Sequence, residues 1–214
     1  MSDDRKLVFF HAPNTRSAGT AFLLEELKAP HERHVLNMKA GEQRDAAYLK
    51  INPMGKVPAI LHGDALVTEQ VAVYIYLADL FPQAGLAPGL ADPLRGPYLR
   101  WLAYYGSCFE PGVIDRALKR DPAPPTMCPY GDYDTMLGTL TKQLARGDYL
   151  LGDRFSAADV LWGTSLAWMT GFGLVAKTPE VTAYIARVTG RPAYAKVSAE
   201  DAELAAQHAA AAKV

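Results

Sequence analysis

Cysteine occurs only twice in the 214 residues, at Cys108 and Cys128. Two thiols so placed cannot form a disulfide framework or a zinc site, and their scarcity fits a reducing compartment. Long apolar runs are missing too. Nothing approaches the roughly eighteen consecutive apolar residues that a membrane span needs, and no apolar stretch follows Met1-Ser2-Asp3-Asp4-Arg5-Lys6. The expectation is a soluble, cytoplasmic chain without a membrane partner. Charge of one sign is also absent: 22 basic residues stand against 23 acidic, a formal charge of -1. No field of that kind draws in a polynucleotide or an anionic bilayer, so nucleic acid is not expected as a partner. There are no internal repeats.

What is present is enough apolar material for two cores, with half of all residues hydrophobic. Lys6 to Phe10 reads as a buried strand, and Ser17 to Lys28 as a helix that Pro30 ends. His31 to Leu36 is a more polar strand suited to a sheet edge. A charged loop from Lys39 to Arg44 and a short helix from Asp45 to Ile51 lead to Asn52-Pro53-Met54-Gly55-Lys56-Val57-Pro58-Ala59-Ile60-Leu61. Pro58 cannot donate to a ladder and so marks an edge, a strand start or a bend. On base rates its peptide bond is trans. Gly63-Asp64 turns a hairpin, and Glu69 to Leu80 is a helix for which Thr68 offers an N-cap. Phe81 to Pro93 has the proline and glycine content of a linker. Beyond it only helices are expected: Leu94 to Phe109, ending at Pro111-Gly112, then, after a proline-rich loop from Asp121 to Pro129, Tyr133 to Ala145, Ala157 to Thr170, Val181 to Val188 and Ala193 to Val197. Ser156 and Asp159 make a capping-box-like start for the third of these.

Asn52-Pro53-x-Gly55-x-Val57-Pro58-Ala59, followed by Thr68-Glu69 and later by Gly152-Asp153-Arg154-Phe155-Ser156-Ala157-Ala158-Asp159, resembles the cytosolic glutathione S-transferase family. The resemblance implies a cis bond before Pro58, reversing the base-rate expectation. It also implies an α/β plus all-α fold: an N-terminal thioredoxin-like βαβαββα domain over residues 1–82, a linker over 83–92 and a C-terminal helical bundle over 93–214. The activity it implies is addition of the glutathione thiolate to a small, largely apolar electrophile by a homodimer, with glutathione as co-substrate and no metal. Two alternatives are a glutathione-dependent peroxide or disulfide reductase and a non-catalytic protein-binding module.

In that family the group that activates sulfur lies at the start of the first helix. Here the residues are Asn14-Thr15-Arg16-Ser17. Alignment through Leu24-Glu25-Glu26-Leu27 puts Asn14 at the activating position, with Thr15 and Arg16 as alternates; no cysteine is present, which disfavours glutaredoxin-like chemistry. Asn14 and Thr15 are equally types found in turns and caps, and Arg16 sits where a helix dipole favours an anionic partner. The resemblance further implies a glutathione-binding set of Ser17, Lys39, Lys56, Val57, Pro58, Glu69 and Gln70. In it the Val57 backbone pairs with the peptide, Glu69 receives the ammonium, and the amides of Glu69 and Gln70 take a carboxylate. Gln70 departs from the serine usual in the family. His11, Tyr104, Tyr105, Ser107 and Cys108 are the expected walls of the acceptor pocket, although an aromatic stripe at helical spacing also serves as core.

Overall fold

A computed structural model describes residues 5–121 and 123–211. Met1 to Asp4, Pro122 within the expected proline-rich loop, and the last three residues of the Ala-rich tail lie outside the described residues.

The first compact unit comprises Met1–Ala84 together with Pro192–Val214, and the second comprises Gly85–Arg191. In the first unit, strands β1 (Leu7–His11), β2 (Glu32–Val35), β3 (Ala59–His62) and β4 (Ala65–Val67) form one sheet in the order β2-β1-β3-β4. β1 runs parallel to β2 and antiparallel to β3, and β3 and β4 pair through the Gly63-Asp64 turn. The polar strand β2 is at the edge, as its sequence suggests. Alternation along β1 divides its side chains between the two sheet faces. Phe10 packs with Ala12, Leu36, Tyr48, Val57 and Ala59, so the helix α2 (Ala46–Leu49) that carries Tyr48 covers that face. His11 points to the other face, where its ring meets Ser17 at the start of α1 (Ser17–Leu27). Phe9, on the same side, is completely buried, as are Leu23 and Leu24 of α1 and Val73, Tyr74 and Leu77 of α3 (Gln70–Leu80). Val57-Pro58 is cis, in agreement with the resemblance and against the base rate.

In the second unit, α4 (Arg95–Tyr104) passes through one π-helical segment, Tyr105–Phe109, directly into α5 (Glu110–Ala117). The helix does not stop at Pro111-Gly112 as expected: Pro111 directly follows the π-helical segment, where the hydrogen-bond ladder is already rearranged. α6 (Tyr133–Leu144), α7 (Ala157–Gly171) and α8 (Pro179–Thr189) complete this unit. Its centre is Trp162 on α7, buried and surrounded by the rings of Trp101, Tyr104, Tyr105 and Phe109 at centroid distances of 6.0, 6.3, 5.4 and 4.7 Å. Its indole N–H donates to the carbonyl of Trp101 at 2.9 Å.

Two other expectations require correction. Thr68 is not the N-cap of α3; Glu69 occupies that position with φ 62 and ψ 114, and no side chain caps the helix. The helical domain also does not run to the end of the chain. The last helix, α9 (Pro192–Ala211), belongs to the first unit: it packs on α1 through an edge contact of Tyr194 with Phe22 and an ion pair of Lys196 with Glu25, and pairs Glu200 with Arg33 of β2. Those partners are far apart in sequence, so local composition carried no sign of them.

Candidate functional site

The loop between β1 and α1 is a dense knot of hydrogen bonds. Asn14 takes a left-handed backbone conformation, φ 56, which asparagine tolerates better than most residues. Its N–H donates to Asp201 Oδ2 of α9 at 2.8 Å, while its side chain is exposed. Thr15 Oγ1 lies 2.7 Å from the carbonyl of Ala12 and 2.7 Å from Ser17 Oγ, and accepts from the Ser17 N–H at 3.2 Å. Ser17 is wholly buried; its Oγ accepts from the Ala12 N–H at 3.0 Å and lies 2.9 Å from His11 Nδ1. Ser17 therefore locks the loop from inside, and the structure does not offer it to a ligand as expected. His11 is likewise no pocket wall. It is 1 % exposed, with Nε2 3.1 Å from Asp201 Oδ1. Thr15 is half-buried and joins this interior network through its side chain, Asn14 reaches it through its backbone N–H, and Arg16 is exposed.

A second arrangement surrounds the start of α3. Positive φ in a residue with a Cβ costs on the order of 1–3 kcal/mol and persists only where its surroundings impose it. Here the surroundings are α3, whose Val73 N–H reaches the Glu69 carbonyl at 3.0 Å, and the hairpin before it. The Glu69 side chain is exposed. Gln70 Nε2 donates to the Arg16 carbonyl at 3.2 Å, which brings the N-termini of α1 and α3 together. Neither helix has an acidic residue in its first turn; the nearest acids are Glu69 at the N-cap of α3 and Asp201, which takes the Asn14 N–H just before α1. Gln70 Oε1 is buried and makes no hydrogen bond.

Before β3, Val57 and Pro58 are buried, and among the described residues the Val57 backbone makes no backbone hydrogen bond. The Lys56 carbonyl, by contrast, accepts from Tyr48 Oη at 2.6 Å and from Asn52 Nδ2 at 2.9 Å. Burial pushes the Tyr48 hydroxyl up to about 12, so it remains a donor at any ordinary pH. Asn52 thus holds the bend, and an unpaired stretch of backbone follows it. Lys39 and Lys56 are exposed, and among the described residues neither joins an ion pair.

The expected pocket walls separate in the second unit. Tyr105 is 1 % exposed, meets Trp162 edge to face and accepts from Ser165 Oγ at 3.0 Å; it belongs to the core and not to a wall. Tyr104 is half-buried with its hydroxyl on the Met136 carbonyl at 3.0 Å, whereas Ser107 is exposed and Cys108 half-buried. A π-helical turn shifts the register by one residue. Helical spacing alone therefore could not assign Tyr105 and Cys108 to their faces. Asp201 was missed entirely. Its signal was an acid four residues after Val197, on the face of an Ala-rich helix that Val197 buries.

Residues 6–79 match the family model of the glutathione S-transferase N-terminal domain, and residues 130–187 match that of a glutathione S-transferase C-terminal domain. The chain is 30 % identical to the glutathione S-transferase GstA of Escherichia coli O157:H7 over 72 % of its own length and 78 % of that protein. It superposes on a glutathione transferase from Methylococcus capsulatus with a TM-score of 0.78 at 27 % identity, covering 92 % of this chain and 98 % of the other. A glutathione transferase homologue from Sulfitobacter, solved with bound glutathione, gives 0.73 at 28 % identity over 91 % and 98 %. With both domain models matched in order and a relative of this similarity along most of its length, the chain belongs to the glutathione S-transferase family.

Proposed function

We propose that the protein binds glutathione and adds its thiolate to a small electrophile of largely apolar character, working as a homodimer. The observation that carries this reading is the Gln70 to Arg16 contact, which sets two helix N-termini side by side. Glutathione offers two anionic groups to such a place, the γ-glutamyl carboxylate and the thiolate. In the proposed pose α3 takes the carboxylate, Glu69 the ammonium and the free Val57 backbone the cysteinyl amide by strand addition. The sulfur then meets the start of α1. Thr15 is placed ahead of Asn14 and Arg16 as the group facing sulfur, because its hydroxyl is the one that is both partly exposed and held from within. Tyr104, Ser107 and Cys108 stay as the proposed contacts of the acceptor.

The test is calorimetric titration with glutathione, followed by thiolate absorbance of the bound ligand against pH. A free thiol titrates near ~8.5, and loss of one hydrogen bond to the thiolate should raise the bound value by about one unit. We expect tight binding with a lowered thiol pKa, raised again in Thr15→Val and little changed in Asn14→Ala and Arg16→Ala. Absence of glutathione binding would hand the fold to the protein-binding reading.

A further inference from the structure

A line of hydrogen-bond distances runs inward from the partly exposed Thr15. Thr15 Oγ1 lies 2.7 Å from Ser17 Oγ, Ser17 Oγ lies 2.9 Å from His11 Nδ1, and His11 Nε2 lies 3.1 Å from Asp201 Oδ1. The three inner members are buried, at 0, 1 and 8 % exposure. Residue types and order mimic a nucleophile triad, but Ser17 has no access to a substrate and its oxygen is already surrounded, so nucleophilic attack by it is ruled out.

Counting donors and acceptors gives the line another purpose. Ser17 Oγ accepts from the Ala12 N–H, which leaves it one further lone pair and one proton. At rest the Ala12 carbonyl takes the Thr15 O–H at 2.7 Å and lies 3.1 Å from Ser17 Oγ; when the Thr15 hydroxyl turns to the free Ser17 lone pair, the Ser17 proton can go to His11 Nδ1, whose other nitrogen lies 3.1 Å from Asp201 Oδ1. Thr15 also accepts the Ser17 N–H, so a single lone pair remains for a ligand. Asp201 is a buried carboxylate whose Oδ2 takes the Asn14 N–H and whose Oδ1, although 3.1 Å from His11 Nε2, makes no hydrogen bond. A buried carboxylate so poorly compensated favours a positive charge on the group beside it. Other charged groups on the elements packed around His11 are engaged elsewhere: Glu200 with Arg33, Lys196 with Glu25, and the rings of His31 and His62 with the Ala29 carbonyl and Tyr76. Arg16, at the start of α1, is exposed.

We propose that Thr15, Ser17, His11 and Asp201 form a proton relay that carries the thiol proton of bound glutathione to His11. The inference rests on the transferase reading and extends it. In the step, the S–H bond breaks and its proton goes to Thr15 Oγ1; the Thr15 proton passes to Ser17 Oγ, and the Ser17 proton to His11 Nδ1. No electrons are exchanged. Glutathione ends as a thiolate accepting a hydrogen bond from Thr15, both hydroxyls end neutral with their polarity reversed, and the imidazolium is held by Asp201. His11 and Asp201 never touch the ligand and act as positioning residues from the fold's interior. The C-terminal helix thereby becomes part of the sulfur site.

Asp201→Asn separates this role from packing. The Asn14 N–H requires the asparagine oxygen, so the amide N–H₂ faces His11 Nε2, removes the negative charge beside the ring and favours the tautomer in which Nε2 accepts and Nδ1 donates; the Ser17 proton is then left to the Ala12 carbonyl 3.1 Å away and not to His11. We expect the variant to raise the thiol pKa of bound glutathione by about one unit, roughly tenfold less thiolate near neutral pH, and to change affinity for S-methylglutathione less than about twofold, since that ligand has no thiol proton. Direct observation comes from the ring nitrogens of isotope-labelled histidine, with the His11 signals identified by their loss in His11→Gln. They should change from neutral to protonated when glutathione is added to the full-length protein and stay neutral with S-methylglutathione. A thiol pKa raised in Thr15→Val but unchanged in Asp201→Asn, or a His11 that stays neutral with thiolate bound, overturns the relay and leaves the transferase reading standing. An unmutated protein that binds glutathione without lowering its thiol pKa overturns both.

Discussion

Glu69 keeps its backbone at φ 62 although its side chain reaches solvent. Backbone strain of this kind clusters at ligand-binding positions. In the proposed pose the ligand group at Glu69 is the glutathione ammonium. Glu69→Gln retains the shape and removes the charge; charge-assisted bonds contribute roughly 1.5–3 kcal/mol, so glutathione affinity measured by calorimetry should weaken about tenfold or more. The thiol pKa of the ligand that still binds should stay where it was, because sulfur sits at the other helix. Unchanged affinity would reduce Glu69 to a cap that happens to be strained. At this scale the residue types were readable from the motif, and their roles only in part. Ser17 and His11 look like site residues in the sequence and are interior ones in the fold, since a single strand alternation and one helix start decide which way they point.

Among the elements, α7 shows how a helix apolar on all sides is held. Asp159 is buried and accepts from the Leu150 N–H at 2.8 Å, the Ser156 N–H at 2.9 Å, the Ser156 hydroxyl at 2.8 Å and the Tyr184 hydroxyl at 2.9 Å. The capping box expected from Ser156 and Asp159 is formed, and it also ties α7 to α8 and to the preceding loop. Gly163 brings those helices close: a Cβ there would stand 2.5 Å from Val188 Cγ1. Burial raises the Asp159 carboxyl above its ordinary value and outweighs the four donors, which pull it down. The native state therefore binds this proton more readily than the unfolded chain does. Its stabilising contribution is complete below the ordinary carboxylate pKa and is lost as pH rises through the raised one. Asp159→Asn does not titrate, and it leaves the Ser156 N–H without an acceptor at a cost of about 1–3 kcal/mol. Denaturant unfolding should show the variant less stable, with the gap widest at acid pH and narrowing as pH rises. A gap that widens with pH would mean that the donors dominate burial.

Over the whole molecule, the chain leaves the first unit at Ala84 and returns to it at Pro192. α9 supplies Tyr194, Lys196, Glu200 and Asp201 to partners on α1, β2 and the activating loop. Truncation after Arg191 should consequently loosen the first unit and spare the second. Hydrogen exchange followed by mass spectrometry should show faster exchange in β1 and α1 while α7 and α8 stay protected; equal loosening of both units would refute the assignment of α9.

The order of elements, the edge placement of β2, the Asn52 to Pro58 bend and the capped entry to α7 were all determined by the sequence on its own, because each rests on contacts within a few residues or on one run of alternating side chains. Family membership was legible for the same reason, since its motifs are local. Tertiary structure alone decided what depends on distant partners. It brought α9 back to the first unit, buried Tyr105 through a π turn that breaks helical spacing, and placed Asp201 beside His11, 190 residues earlier in the chain. The proposed chemistry at the β1–α1 loop depends on that last pairing. A carboxylate can influence a hydroxyl only through space and hydrogen bonds, and no local pattern encodes either.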